Sequence, residues 1–217
     1  MSEINMIEMP KKLGKIDKPS IEEYKTGRKL YCIPLLYSAK DAPKDYVKLY
    51  NQYWTQVKEH VEKLERAGKA NKIYHESIYS TGQDGLEKIK QENVKSYRIV
   101  KSKVDEGAAL ISLEDNRLLS EYIDWAMCLS IIRSTKVAEK IQKFYLEAEK
   151  RRDEYIVKRI DETLKKGEVG ILVMRDENRI RIQSKLQSDI HVFLVHPPAL
   201  NDISQWIKER IREKFKK

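Results

Sequence analysis

Lys72-Ile73-Tyr74-His75-Glu76-Ser77-Ile78-Tyr79 is an apolar, β-rich run that ends in Ser80-Thr81-Gly82-Gln83-Asp84-Gly85 and then a short helical pattern from Leu86 to about Gln91. It reads as a strand, a turn and a helix. Upstream, Lys29-Leu30-Tyr31-Cys32-Ile33-Pro34-Leu35-Leu36-Tyr37 is a second compact apolar run, again a strand, in which Pro34 favours an edge position or a bulge. Between them Asp41 and Pro43 start a helix, and Tyr46, Val47, Tyr50, Tyr53, Trp54, Val57, Val61 and Leu64 recur at helical spacing before Gly68 stops it. That aromatic stripe fits the core face of a helix lying on a sheet better than a base-stacking platform. Strand, helix, strand, helix in this order predicts a parallel sheet joined by right-handed crossovers.

Further along, the pattern turns helical. Tyr97, Val100, Val104, Ala108 and Ile111 form one stripe, interrupted by Gly107. From Leu118 to Ile132 charge almost disappears, so the segment reads as a helix buried on most sides that still carries Glu121 and Asp124. Thr135 opens a long helix with Val137, Ile141, Phe144, Tyr145, Ala148, Ile156, Ile160 and Leu164 inward, closing at Gly167. Unbroken, it runs about 30 residues and roughly 45 Å; a break at Lys150-Arg151-Arg152-Asp153 is the alternative. Strand patterns return at Val169–Met174 and Ile190–Val195, with a short strand expected at Arg179–Ile182, and a last helix carries Leu200, Ile203, Trp206, Ile207 and Ile211.

The expectation is an α/β fold: a mainly parallel sheet flanked by helices, with a large helical insertion between the second and third principal strands. Residues 1–27 read as an irregular lead-in and 28–217 as a single domain, with the insertion at about 94–166. No apolar run approaches the roughly 20 residues that span a bilayer, which predicts no membrane partner. The first residues resemble neither a signal nor a transit peptide, so the chain is expected to be cytoplasmic. Cys32 and Cys128 both sit in apolar segments and read as reduced, buried hydrophobes.

Lys and Arg number 43 against 34 Asp and Glu, a net charge of +9. Much of that excess alternates with Glu along helices as solvated faces, whereas the tail from Lys208 to Lys217 is net basic. Such a balance suits attraction to an anionic partner, RNA or a nucleotide.

Candidate chemistry clusters in two places. His75 and Glu76 alternate across their strand and cannot enter one pocket while it stays regular, but either can reach the crevice at the carboxyl end of a parallel strand. Glu121 and Asp124, three residues apart on one helix, share a face and are the candidate ligands for a divalent metal such as Mg²⁺. With His75 or Glu76 they make a candidate catalytic cluster for metal-assisted hydrolysis, set against ordinary ion pairs with a nearby Lys, Arg or Tyr. Ser80, Thr81, Gly82 and Gly85 form a candidate anion-binding turn at a helix start, although Asp84 opposes a phosphate and no P-loop lysine follows. No GxSxG, HExxH or Cys/His metal spacing occurs.

Ile73-Tyr74-His75-Glu76, Gly167–Met174, Ser188–Phe193 and Pro197-Pro198-Ala199-Leu200 resemble segments of a group of bacterial and archaeal proteins without established activity. The resemblance runs from about Arg28 onward, implies one prokaryotic domain and carries no site residue across. Three functions remain in view: a binding or regulatory protein for an anionic partner, a metal-assisted hydrolase, and a subunit that assembles through the long helix.

Overall fold

The computed structural model describes residues 26–215; the expected lead-in falls almost wholly outside them, as do Lys216 and Lys217. Five strands, β1 (Arg28–Pro34), β2 (Lys72–His75), β3 (Ala109–Ile111), β4 (Val169–Met174) and β5 (Ile190–Leu194), form one sheet in the order β3-β2-β4-β1-β5. Every pairing is parallel, with Lys29 beside Val169 and His191, and Lys72 beside Gly170 and Ala109. The helices are α1 (Lys44–Leu64), α2 (Gly82–Glu92), α3 (Val94–Asp105), α4 (Asn116–Ile131), α5 (Thr135–Thr163), α6 (Asp176–Gln183) and α7 (Pro198–Phe215).

Alternation along the strands splits the core into two layers. Tyr31, Ile33, Ile73, Ile171 and Val173 face Tyr53, Trp54, Val57 and Val61 of α1, Ile89 of α2, Ile99 of α3 and Ile203 of α7. Leu30, Cys32, Tyr74, Leu172 and Met174 face Ile156 and Ile160 of α5, together with Leu164 beyond its end, and Ile182 of α6. The chain therefore leaves β1 and β2 towards one face and β3 and β4 towards the other. Because β4 is inserted between β2 and β1, neighbouring strands send their connections apart, which opens a crevice at the carboxyl edge.

Several local expectations change. β1 is interior, flanked by β4 and β5, and Pro34 is tolerated because it is the last residue of the strand. The stripe from Tyr97 to Ile111 is two elements: α3 ends at Asp105, Gly107 turns the chain at φ +106°, and Ala109–Ile111 becomes an edge strand. The stretch 94–166 is thus divided by β3, and the helical excursion proper is α4 and α5. Arg179–Ile182 belongs to helix α6 rather than to a strand. α5 runs unbroken through Lys150–Asp153.

The largest correction concerns α4. Only Leu119 is fully buried on it, while Ile123, Met127 and Ile131 are 44, 62 and 77% exposed. The helix packs chiefly on α5, through Tyr122 against Tyr145 and Trp125 stacked on Phe144 at 5.0 Å, and no sheet layer covers its outer side. Low charge there marks an apolar face without an intramolecular partner. Among the described residues no helix is long and apolar enough to cross a membrane. Both cysteines are free; Cys32 is buried and Cys128 half-buried.

Candidate functional site

β2 ends at His75, and the next two side chains go opposite ways. His75, fully buried, points to the α3 face. Its Nδ1 lies 2.7 Å from the Glu76 carbonyl oxygen, an acceptor only, so Nδ1 carries the proton and Nε2 faces Ser96 Oγ at 3.0 Å. Burial pushes the imidazole down to about 4, against the pull of the Glu76 carbonyl and carboxylate. It is a neutral structural group that ties β2 to α3.

Glu76, 1% exposed, turns to the α5 side. Its backbone N–H bonds the Val173 carbonyl at 2.9 Å, which extends the β2–β4 pairing by one residue. Its carboxylate accepts from Arg175 three times: the backbone N–H at 2.7 Å, Nε at 3.1 Å and Nη2 at 2.8 Å. Asn178 Nδ2 of α6 donates to the same carboxylate, and Arg152 Nη2 of α5 stands 3.6 Å away. Burial raises the Glu76 pKa, but the Arg175 and Arg152 contacts outweigh it and hold the carboxyl below its ordinary value. Arg175 is correspondingly pushed up by its bonds to Glu76.

The network continues in both directions. Arg152, also 1% exposed, donates through Nε to Glu114 at 2.9 Å and through Nη2 to the other Glu114 oxygen, and its guanidinium lies 4.9 Å from the Tyr122 ring centroid. Glu114 in turn accepts the Ser77 N–H at 3.2 Å, and Ser77 adopts φ +68°. A side chain in the left-handed region persists only when its surroundings fix it; here the Glu114 carboxylate does so. On the far side Asn178 accepts from Arg181 Nη2 at 2.7 Å, and Arg181 and Lys185 both bind buried Asp153, at 3.1 and 2.9 Å. Glu76, Glu114 and Asp153 thus stand against Arg152, Arg175, Arg181 and Lys185, with Glu149 bound to Arg181 at 3.2 Å as the fourth carboxylate. Charges taken out of water cost several kcal/mol each, so pairing at this density is a condition of the fold.

Above this network opens a crevice of about 430 Å³ lined by Tyr37, Ser77, Tyr79, Lys88, Glu92, Asn116, Leu119, Ser120 and Ile123. Its walls are the segment after β1, the turn after β2, α2 and the start of α4. Lys88 Nζ sits 3.5 Å from the Tyr79 ring centroid. Burial pushes the Tyr37 hydroxyl up to about 12, and Glu92 and Glu76 push the same way. Burial also raises the Glu92 carboxyl, with Lys88 opposing.

The expected site residues divide accordingly. Glu76 does not line the crevice but adjoins Ser77, which does, and its charge acts on Tyr37 and Glu92; His75 points to the α3 face and does not line it either. Glu121 is half-buried, takes Arg151 Nη2 at 2.5 Å and stands 3.4 Å from Trp125 Nε1, while Asp124 is exposed on α4. Neither shares a partner with Glu76. Among the described residues no group of three or more His, Cys, Asp or Glu side chains is placed to hold a metal ion. Ser80, Thr81, Gly82 and Gly85 do not line the crevice. Thr81 makes no side-chain cap, and Gly85 is glycine for packing, since a Cβ there would come 2.7 Å from the Ser80 carbonyl oxygen and 2.8 Å from Leu110.

Glu114, Arg152, Arg175 and Asn178 were missed in the sequence. One signal was present: Arg152 falls in the apolar register Ala148, Ile156, Ile160 at four-residue steps, so a charge had to be buried there.

The fold and crevice define a doubly wound parallel α/β protein with a polar pocket at the strand carboxyl ends. Comparison with protein-family models, curated proteins and solved structures returns no match, so geometry alone carries the functional reading.

The depressed imidazole makes a testable claim. His75 binds a proton more readily when unfolded, so its contribution to stability is complete above about pH 6.5 and is lost as pH falls towards about 4, a loss on the order of 3 kcal/mol. Urea unfolding compared at about pH 7 and about pH 5 should show this slope in the native chain and a flatter one in His75→Asn. Equal slopes in the two proteins would remove His75 as its source.

Proposed function

We propose that the protein is a binding protein whose carboxyl-edge crevice takes a mononucleotide. The observation that carries the reading is the lining itself, where Tyr37 and Tyr79 flank a pocket that also holds Lys88 and Glu92. Two phenol rings suit an aromatic base, Lys88 suits a phosphate, and a carboxylate suits ribose hydroxyls or an exocyclic amine. The volume of about 430 Å³ lies within the range for small-ligand pockets. Arg175 and Glu76 neutralise one another beneath it, so they hold the pocket rigid without committing it to a multiply charged ligand.

Calorimetric titration with nucleoside monophosphates should give saturable binding that Lys88→Ala weakens by about tenfold. A short single-stranded RNA should bind no tighter than the mononucleotide, because a crevice of about 430 Å³ has room for a single nucleotide. Absence of nucleotide binding, or binding indifferent to Lys88, would reject the proposal; much tighter RNA binding would transfer it to the basic helix.

A second reading, assembly through the long helix, draws on the apolar side chains left exposed on the α4–α5 hairpin: Ile123, Met127, Ile131, Val137 and Phe144. A patch of this kind commonly marks an interaction surface. Two hairpins packed as a four-helix bundle would cover it. Sedimentation should then report a dimer that Met127→Lys/Ile131→Lys converts to monomer; a monomer at high concentration in the native chain would exclude this reading.

A further inference from the structure

A second cleft, of about 400 Å³, lies between α1 and α3 on the outer side of the helical layer. Asn51, Thr55, Lys58 and Glu62 form one bank at steps of four, three and four along α1, so they share a face. Lys95, Arg98 and Ser102, at steps of three and four along α3, form the other. Trp54, Val61 and Ile99 make an apolar floor, with Lys103 at one end.

The cations here differ in how far they are spent. Lys103 is held by Glu65 at 2.6 Å and Glu106 at 3.0 Å, and Lys58 faces Glu62 at 3.9 Å. Lys95 and Arg98 have no ion pair among the described residues, although Lys95 is only half-exposed. On the floor, the Trp54 indole N–H has the Tyr50 hydroxyl nearby but no acceptor in hydrogen-bonding geometry. A concave surface with an apolar, aromatic floor and two adjacent unneutralised cations is complementary to an amphipathic anion.

We infer that the α1–α3 cleft is a second ligand site, for a small aryl phosphate or a ligand of the same chemistry, with the phosphate between Lys95 and Arg98 and the ring over Trp54. This site is separate from the crevice: the two share no lining residue. They are joined through α3, whose opposite face carries the Ser96 bond to His75.

The test uses 1-naphthyl phosphate as probe on the full chain, read by calorimetry. Saturable binding of equal affinity is expected in the native chain and in Lys88→Ala, which weakens the crevice alone. In Lys95→Ala/Arg98→Ala the affinity should fall by at least about tenfold, with circular dichroism and urea midpoint unchanged, since both side chains lie on the outer side of α3. Trp54→Phe should weaken binding less while abolishing any quenching of the indole emission from that site. Failure of the probe to saturate, or equal affinity in the double variant, overturns the inference. Loss of binding in Lys88→Ala with retention in the double variant assigns the probe to the crevice and overturns it equally, while supporting the proposed function.

Discussion

A single carboxylate, Glu76, organises the carboxyl edge of this sheet. It leaves β2 on the side opposite His75, and it is buried beneath a polar crevice. Everything near it follows from the cost of an unpaired charge in that position. Arg175, the first residue after β4, closes on it with three hydrogen bonds and so fastens the ends of two neighbouring strands together. Arg152 brings α5 against the same carboxylate and against Glu114, and Glu114 fixes the left-handed Ser77 at the crevice floor. Asn178 brings in α6. Strand ends, which in isolation are loop-like, become a rigid platform by electrostatics rather than by apolar packing.

The strand–helix–strand order, the parallel sheet and the positions of four strands were legible because each has a clear signal: β1, β2, β4 and β5 are apolar runs bounded by turns. β3 was not, because Ala109–Ile111 is three residues long and its apolar pattern continues the helical stripe of α3 across Gly107. α6 has almost no amphipathic pattern, since Asn178 and Arg181 serve the ion network rather than an apolar face, and its alternating Arg179–Ile182 reads as a strand. The low charge of α4 reads as burial, since apolar side chains are most often interior. Its actual environment depends on whether a neighbour exists, which one chain's periodicity does not encode. Glu76 was legible as a site residue through its place at a strand end. Its partners were not, because Arg152, Arg175 and Asn178 lie 76, 99 and 102 residues from it along the chain, and only the fold brings them together.

The functional picture divides the molecule by layer. The crevice sits where connections from adjacent strands diverge, the general location of ligand sites in open parallel sheets. The α1–α3 cleft lies one layer out, and α3 spans both. Asn93 caps α3 by accepting from Lys95 and Ser96 N–H groups at 3.0 Å, while its own amide holds the Leu36 carbonyl at 2.8 Å, just before Tyr37 of the crevice wall. α3 is thereby tied to the segment that leads into Tyr37, through Leu36, and to the end of β2, through His75.

The measurement that bears most directly on this account is a double-mutant cycle on Glu76→Gln and Arg175→Met, read by urea unfolding at neutral pH. A hub buried under the crevice predicts that either single change is strongly destabilising, and that their coupling exceeds about 1 kcal/mol. Additive effects, with coupling below about 0.5 kcal/mol, would mean that the two side chains do not depend on one another, and the carboxyl edge would need a different explanation for its order.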